Sequence, residues 1–497
     1  MLPVKTIPEM FEKIAKENAD RTAIVDGERS ISYKGLEKKI RYLSASLGMM
    51  GVRRGDRIAL LLPNGLEFVI SYFAVVSLGA IAVPLNDRYQ QFELSYFLEA
   101  CDVSWLITSR DFEEVYRKAL PACKCPCQLF LIGDQEDAGQ GERLSPVVPG
   151  AEINPEAPVM YQFSSGSTGR PKRIARNHTN LLFELNSFIP TLQITREDRF
   201  LGVAPFSHVN GLMRSMMGSI RAGATLYPLA KFERQAVLKA IEENKISIFI
   251  GVPFMFSLLA KSNFRQRPDF SSLRLCVSAS APMPKKLNLL FHESFGIYVR
   301  QLYGSTETGT ISVNLSPGIE RSLESVGTPI SGVLVEVFDG DGKIANSDEM
   351  GEFAVRSPAA IKNYDGLEEV NKEAFRNGYF FTGDLGKRDT DGLLYLLGRK
   401  KFFINRGGNK IDPHEIEELL EGHPKVEEAA AVGVPTPLGD EKVKAVIVLN
   451  ASCTEEEIIE YCRGKVADFK VPSLIEFRDS LPKSPTGKVL RKMLMGG

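Results

Sequence analysis

Residues 57–83 read RIALLLPNGLEFVISYFAVVSLGAIAV. Arg57–Leu62 is an apolar run of strand length. Leu66–Ser77 then has the length of a helix, and Ala80–Val83 is a second strand-length run. Strand, helix and strand in this order predict a parallel sheet buried on both faces. The stretch from Phe68 to Leu85 has nearly the length to span a bilayer. Gly79 and Pro84 interrupt it, so it reads as a buried helix followed by a buried strand, and no stable membrane span is expected.

The alternation continues outward. Strands are predicted at Val103–Thr108 and Gln128–Ile132, with helices at Glu93–Ala100 and Phe112–Leu120. It resumes with strands at Thr225–Pro228, Ser247–Gly251, Leu273–Val277 and Ile297–Leu302, and helices at Arg234–Glu243 and Pro284–Phe295. This is an α/β pattern, and two sheet subdomains account for it better than one very large sheet. From about residue 325 to 398 the texture changes. Asp339-Gly340-Asp341-Gly342 and Asp389-Thr390-Asp391-Gly392 are hairpin turns, predicting a small β-barrel or antiparallel sheet. Beyond Gly398, Asp412-Pro413-His414-Glu415 reads as a capped helix start, and Thr454–Glu457 as a capping box opening a helix to about Phe469. Strands are predicted there at Glu428–Val434, Val443–Leu449 and Leu474–Phe477. The expected organisation is an N-terminal domain over 1–398, a charged linker at 399–401 and a small α+β lid domain over 402–497.

Composition narrows the function. With 497 residues, 43% hydrophobic and 25% charged, the chain is of ordinary soluble type, and a net charge of -1 gives no field that would hold nucleic acid. Seven scattered cysteines and an N-terminus without signal-peptide features predict a reducing, cytoplasmic setting. Cys123-x-Cys125-x-Cys127 lacks a fourth ligand at suitable spacing, so no metal site is read from it.

The chemistry begins at Ser164-Ser165-Gly166-Ser167-Thr168-Gly169-Arg170-Pro171-Lys172. Glycines let backbone N–H groups turn toward an anion, and hydroxyls with a closing lysine suit a polyphosphate. The spacing is not that of a Walker P-loop. Tyr303-Gly304-Ser305-Thr306-Glu307 follows a predicted strand, where a nucleotide site of an α/β sheet would lie. Tyr303 would stack on a base, Thr306 bond a phosphate and Glu307 give an oxygen to Mg2+. Asp384, in Thr382-Gly383-Asp384, would accept from ribose hydroxyls or cap the turn, and Arg399 suits phosphate or ribose. Lys488 follows Gly487 near the C-terminus.

These stretches, in this order over nearly the whole chain, resemble the adenylate-forming superfamily of acyl-CoA synthetases, peptide-synthetase adenylation domains and firefly luciferases. Gly327-Thr328-Pro329, Gly351-Glu352 and Glu415-Ile416-Glu417 after Gly407-Gly408 belong to the same resemblance. It implies that the 164–172 loop holds the β- and γ-phosphates of ATP, with Ser280-Ala281-Pro282, Tyr303 and Gly304 around adenine. It further implies Thr306 at the α-phosphate, Glu307 on Mg2+, Asp384 and Arg399 at the ribose, and Lys488 bridging carboxylate and α-phosphate. The small domain would turn about Lys401 and open a thiol channel beside Gly407 and Gly408 for CoA.

Ala204–Gly211 has no acidic residue to pair with an amino-acid ammonium, which argues against amino acids as substrates. The segment resembles the Pro-x-x-His-x-x-Gly of fatty acyl-CoA and aryl-CoA ligases, which places His208 at the carboxylate end of the acyl pocket. By the same resemblance Val209, Met213, Met217, Val252, Ser278, Ala279, Gly304 and Gly309 would wall that pocket. Arg173, Ser280 and Phe402 depart from the family pattern, which more often has Gly, Gly and Asp there. The expected reaction is ATP-dependent activation of a fatty or aromatic acid to an acyl-AMP, followed by transfer to CoA. An external acyl carrier protein as acceptor, or a catalytically silent nucleotide- or acyl-binding protein, are the alternatives.

Overall fold

The computed structural model describes residues 4–124, 126–132, 153–164, 172–262, 268–406, 409–436, 441–463, 465–466, 468–484 and 487–495. The chain forms two compact units. One comprises 1–324, 328–334 and 355–380, and the other 325–327, 335–354 and 381–497.

The first unit holds two α/β sheets. In one, strands run in the order Gln128–Leu131, Trp105–Thr108, Arg57–Leu61, Ile81–Pro84, Pro158–Ser164 and Lys172–Asn177. Its pairs are parallel except the last, an antiparallel hairpin. The quoted stretch is its centre. Leu66–Ser77 is a helix with Phe68, Val69, Tyr72 and Phe73 all buried. Each such apolar side chain contributes about 1.5–3 kcal/mol relative to exposure. Among the described residues no helix is long and apolar enough to cross a membrane. Cys123 and Cys127 pack against the core of this sheet, while Cys125 lies outside the described residues.

The second sheet has nine strands, and its middle six (299–305, 275–278, 248–251, 199–202, 225–228 and 22–26) are mutually parallel. The predicted helices Arg234–Glu243 and Lys285–Phe295 accompany it. The strand expected at Ile297–Leu302 instead spans Val299–Ser305 and returns antiparallel as Gly309–Val313. Tyr303 and Gly304 are therefore ladder residues, with a register shift between them.

In the second unit, 335–338, 351–354, 381–388 and 394–399 belong to strands of a five-stranded sheet. Strands Val426–Pro435, Glu441–Leu449 and Leu474–Phe477 form a three-stranded sheet, around which Ile404, Ile411, Ile416, Leu420 and Ile458 make a separate core. Asp412 caps the helix Pro413–Glu421 as its sequence predicts, accepting from the His414 N–H. The Thr454 capping box is present, but its helix ends at Cys462 rather than near Phe469, because Arg463 turns to extended backbone.

Candidate active site

At the hairpin of the first sheet, Ser164 pairs with Lys172. Ser165, Gly166, Ser167, Thr168 and Gly169 lie outside the described residues. The Lys172 ammonium stands 4.6 Å above the Tyr364 ring, and the Tyr364 hydroxyl donates to Glu307 Oε1 at 3.0 Å. Two groups from distant parts of the chain thus meet on one tyrosine, which the sequence reading had not singled out. Thr306 is half-buried in the adjoining turn, and Thr308 N–H donates to the Ser305 hydroxyl at 3.2 Å. Arg173 has a structural reason to differ from glycine. It lies over the Tyr161 ring and pairs with Asp365 at 3.2 Å.

The neighbouring strand ends at Ser278, followed by Ala279, Ser280, Ala281 and Pro282. Ser280 sits at φ 74, a left-handed conformation that glycine adopts freely and serine does not. That explains glycine at this position in the family pattern. Tyr303 is buried on the adjacent strand. Gly304 and Gly309 are required by space: a Cβ at 304 would lie 2.3 Å from the Gly309 carbonyl, and one at 309 would lie 2.4 Å from Glu184 Oε2.

His208 is held from the first sheet. Asn86 Oδ1 accepts the Arg88 N–H at 2.9 Å, which leaves Asn86 Nδ2 as donor to His208 Nε2 at 3.3 Å. The imidazole therefore accepts through Nε2 and carries its proton on Nδ1. Asn64 fastens the preceding backbone, donating to the Ala204 carbonyl at 3.0 Å and accepting the Phe206 N–H at 2.8 Å. After His208 the chain enters a π-helix, Asn210–Met217, in which Met213 and Met217 are buried. Its second residue, Gly211, has no room for a side chain, because a Cβ there would meet the Ala204 and Pro205 carbonyls at 2.2 and 2.3 Å. Val209 is half-buried and Val252 buried.

Beneath Gly304 lies a charged cluster absent from the sequence reading. Arg176 Nη1 pairs with Glu184 Oε2 at 2.9 Å, and Glu184 Oε1 accepts from the Thr310 N–H and hydroxyl at 2.9 and 3.0 Å. Arg214, on the π-helix, donates through Nε to Thr310 Oγ1 at 3.1 Å and through Nη1 to Asn210 Oδ1 at 3.3 Å. Burial opposes ionisation of Glu184, but Arg176 and Arg214 hold its carboxyl below the usual range. Burial also pushes the Arg214 guanidinium down to about 10, still charged at neutral pH.

In the second unit, Asp384 lies directly across the ladder from Arg399, and Arg399 Nε pairs with Asp384 Oδ1 at 2.5 Å. Arg399 Nη1 also donates to the Thr382 carbonyl at 3.1 Å. Gly383 between them sits at φ 72, donating its N–H to Glu352 at 3.2 Å, and Lys400 pairs with the same carboxylate at 2.9 Å. Lys400–Phe402, containing Lys401, is a short 3-10 turn. Gly407 and Gly408 lie outside the described residues.

Lys488 is exposed, with its N–H donating to the Ser484 hydroxyl at 3.1 Å. Three residues on, Arg491 anchors this segment by a two-pronged pair with buried Glu417, its Nη2 lying 2.8 Å from Oε2. Glu417 also accepts the Ala431 N–H at 2.7 Å and pairs with His414 Nδ1 at 3.1 Å. Burial works against the ionised Glu417, yet Arg491 and His414 hold it below the usual carboxylate range. Burial likewise works against protonated His414, but Glu417 raises it above its ordinary value.

For Mg2+ the donor chemistry fits. Glu307 offers a carboxylate with one oxygen fixed by Tyr364, and Mg2+ commonly takes one or two carboxylates plus phosphate oxygens rather than a protein cage. Among the described residues no group of three or more His, Cys, Asp or Glu side chains forms a cage of its own.

Comparison with known proteins agrees with this layout. Residues 11–365 match the AMP-binding enzyme family, and residues 415–488 match the AMP-binding enzyme C-terminal domain. The chain is 32% identical to the 2-succinylbenzoate–CoA ligase of Bacillus licheniformis, covering 98% of this chain and 99% of that one. It is 31% identical to the oxalate–CoA ligase of Arabidopsis thaliana, covering 98% of each. The o-succinylbenzoate CoA synthetase of Bacillus subtilis, solved with its acyl-adenylate intermediate, superposes with a TM-score of 0.87 at 28% identity over 99% of both chains. The chain therefore belongs to the AMP-binding enzyme family and is an acid–thiol ligase that uses ATP, Mg2+ and CoA to convert a carboxylic acid, through an acyl-AMP, into an acyl-CoA.

Proposed function

We propose that the acid is fatty or aromatic and that the residues named above divide the reaction as follows. Lys172 and the loop before it hold the outer phosphates, Tyr303 and Ser280-Ala281-Pro282 flank adenine, and Thr306 bonds the α-phosphate. Asp384 accepts from the ribose hydroxyls, with Arg399 fixing its carboxylate. Glu307 holds Mg2+, which supplies charge neutralisation as pyrophosphate leaves. His208 receives the acid's carboxylate, and Val209, Met213, Ser278, Ala279, Gly304 and Gly309 wall the acyl pocket. Lys488 draws carboxylate and α-phosphate together for in-line attack, so catalysis is mainly positioning and neutralisation of spread charge. The hinge at Lys401, between domains over 1–398 and 402–497, then exchanges Lys488 for a thiol channel beside Gly407 and Gly408. The reading also keeps the cytoplasm as its compartment, on the seven scattered cysteines.

The observation that carries this assignment is the meeting of Lys172 and Glu307 on Tyr364, a cation and a metal-competent carboxylate set one on the face and one on the hydroxyl of a single ring. The test separates the two half-reactions. Lys488→Ala is expected to lower acid-dependent pyrophosphate release by roughly 10²–10³-fold, while thiolysis of supplied acyl-AMP by CoA persists. Equal loss in both steps would remove Lys488 from its role. In mass-spectrometric assays of fatty and aromatic acids, AMP and acyl-CoA should appear together only when CoA is added. Acyl-AMP that accumulates without thioester would point instead to an acyl carrier protein as acceptor.

A further inference from the structure

Arg176, Glu184 and Arg214 are 0%, 1% and 3% exposed, so two guanidinium groups and one carboxylate share a site closed to the surface. Glu184 is fully committed, one oxygen to Arg176 and the other to Thr310. Arg214 is not. Its Nε and Nη1 have partners, but Nη2 is buried with no hydrogen-bond acceptor at all. Among the described residues the charges acting on Arg214 are Glu184, which favours its ionised form, and Arg176, which repels it. One positive charge in this cluster thus lacks a counter-ion, and an arginine cannot shed its proton to escape the cost.

The unpaired nitrogen lies against Gly304, one of the residues proposed above to wall the acyl pocket. A Cβ on Gly304 would stand 2.7 Å from Arg214 Nη2, so the guanidinium lies directly against the strand that leads into Thr306 and Glu307. Asn210, which holds Arg214 Nη1, reaches the Gly251 carbonyl at 3.4 Å, and the Ala279 N–H donates to the same oxygen at 3.1 Å. Arg176 Nε in the same cluster is also without a partner, and so is the buried Ser278 hydroxyl beside Ala279. Of these, Arg214 Nη2 and the Ser278 hydroxyl border the carboxyl ends of adjacent parallel strands, where ligands of α/β sheets bind.

We propose that the acid activated by this enzyme carries a second anionic group, a distal carboxylate, and that Arg214 binds it as its counter-ion. The inference rests on the acyl-pocket reading above and narrows its substrate class from fatty or aromatic acids to those that carry a second, distal carboxylate. Two hydrogens on Nη2 are available to that carboxylate, and the Ser278 hydroxyl is a buried donor still without a partner.

The test compares α,ω-dicarboxylic acids with monocarboxylic acids of equal length, in aliphatic and benzoic series, by kcat/KM for pyrophosphate release. The wild-type enzyme should favour the diacid by about 10²-fold or more at its preferred length, as sites built around a buried polar partner do. Arg214→Met should abolish that preference chiefly through KM for the diacid, and Arg214→Lys, which keeps the charge, should restore part of it. The fluorescence of Trp105 reports whether each variant is folded. Because the wild-type preference needs no variant, a folding failure leaves the test intact. Equal or better use of monoacids at every length, with pyrophosphate still released, would overturn the inference and leave the ligase roles standing. No pyrophosphate from either class would overturn both.

Discussion

Two buried carboxylates, Glu184 in the first unit and Glu417 in the second, each face more basic groups than they can neutralise. The excess differs in kind. Around Glu417 every oxygen is used, by Arg491, His414 and the Ala431 N–H, and the surplus proton sits on an imidazole that can release it. Around Glu184 the surplus sits on Arg214, whose charge is permanent and whose Nη2 is unmatched. The first imbalance corrects itself within the protein. The second has to be corrected from outside. A buried surplus of charge is therefore informative about a ligand only when no member of the cluster can titrate it away.

The sharpest challenge to this contrast is Glu184→Gln, which leaves two buried arginines with no anion. It should lower stability by about 3–5 kcal/mol in chemical denaturation followed by Trp105, the chain's only tryptophan, buried in the same sheet as Arg176. Glu417→Gln should cost less, about 3 kcal/mol, because Asp412 still acts on Arg491 and His414, and His414, unlike an arginine, can release its proton. Its effect should be confined to the second unit, read as faster amide hydrogen exchange along Val426–Pro435. A larger loss from Glu417→Gln than from Glu184→Gln would break the comparison.

The smallest expected effect is a pH dependence. His414 has its folded value raised above 6.5, so the stability it gives is complete below about 6.5 and is lost as pH rises through that raised value. Glu417 is lowered from 4.5, so its contribution is complete above about 4.5 and is lost as pH falls through the lowered value. The second unit should loosen at both ends, and His414→Gln should flatten only the upper one. No counterpart is expected around Glu184 near neutral pH.

What the sequence makes legible follows how local each cause is. The strand–helix–strand at residues 57–83 is set by apolar runs that need no distant partner, and Leu66–Ser77 is helical over the predicted span. The Asp412 cap is equally local. The helix after Thr454 shows the limit, since its start is written in a capping box while its stop at Cys462 follows from a backbone turn that composition does not announce. The π-helix Asn210–Met217 was invisible because its i→i+5 bonding follows neither of the periods by which sequence patterns are read.

Of the residues proposed for the reaction, Tyr303, Glu307 and Asp384 stand out by motif. Their supports do not. Tyr364 reaches Glu307 across 57 positions, Asn86 reaches His208 across 122, and Thr310 reaches Glu184 across 126. Glu184 and Arg214 look in the sequence like ordinary charges on helical surfaces, and only the packing of the sheets shows that both are sealed inside.

Asn64 has a mechanical consequence. Its side chain leaves the end of the Arg57–Leu61 strand and grips the Gly202, Val203 and Ala204 carbonyls and the Phe206 N–H, all in the run-up to His208. One amide thus rivets the rim of one sheet to the rim of the other. Any cargo that presses outward on the 204–211 segment pulls on this rivet, so the gauge of the pocket is set by the stiffness of a neighbouring sheet rather than by the segment that lines it.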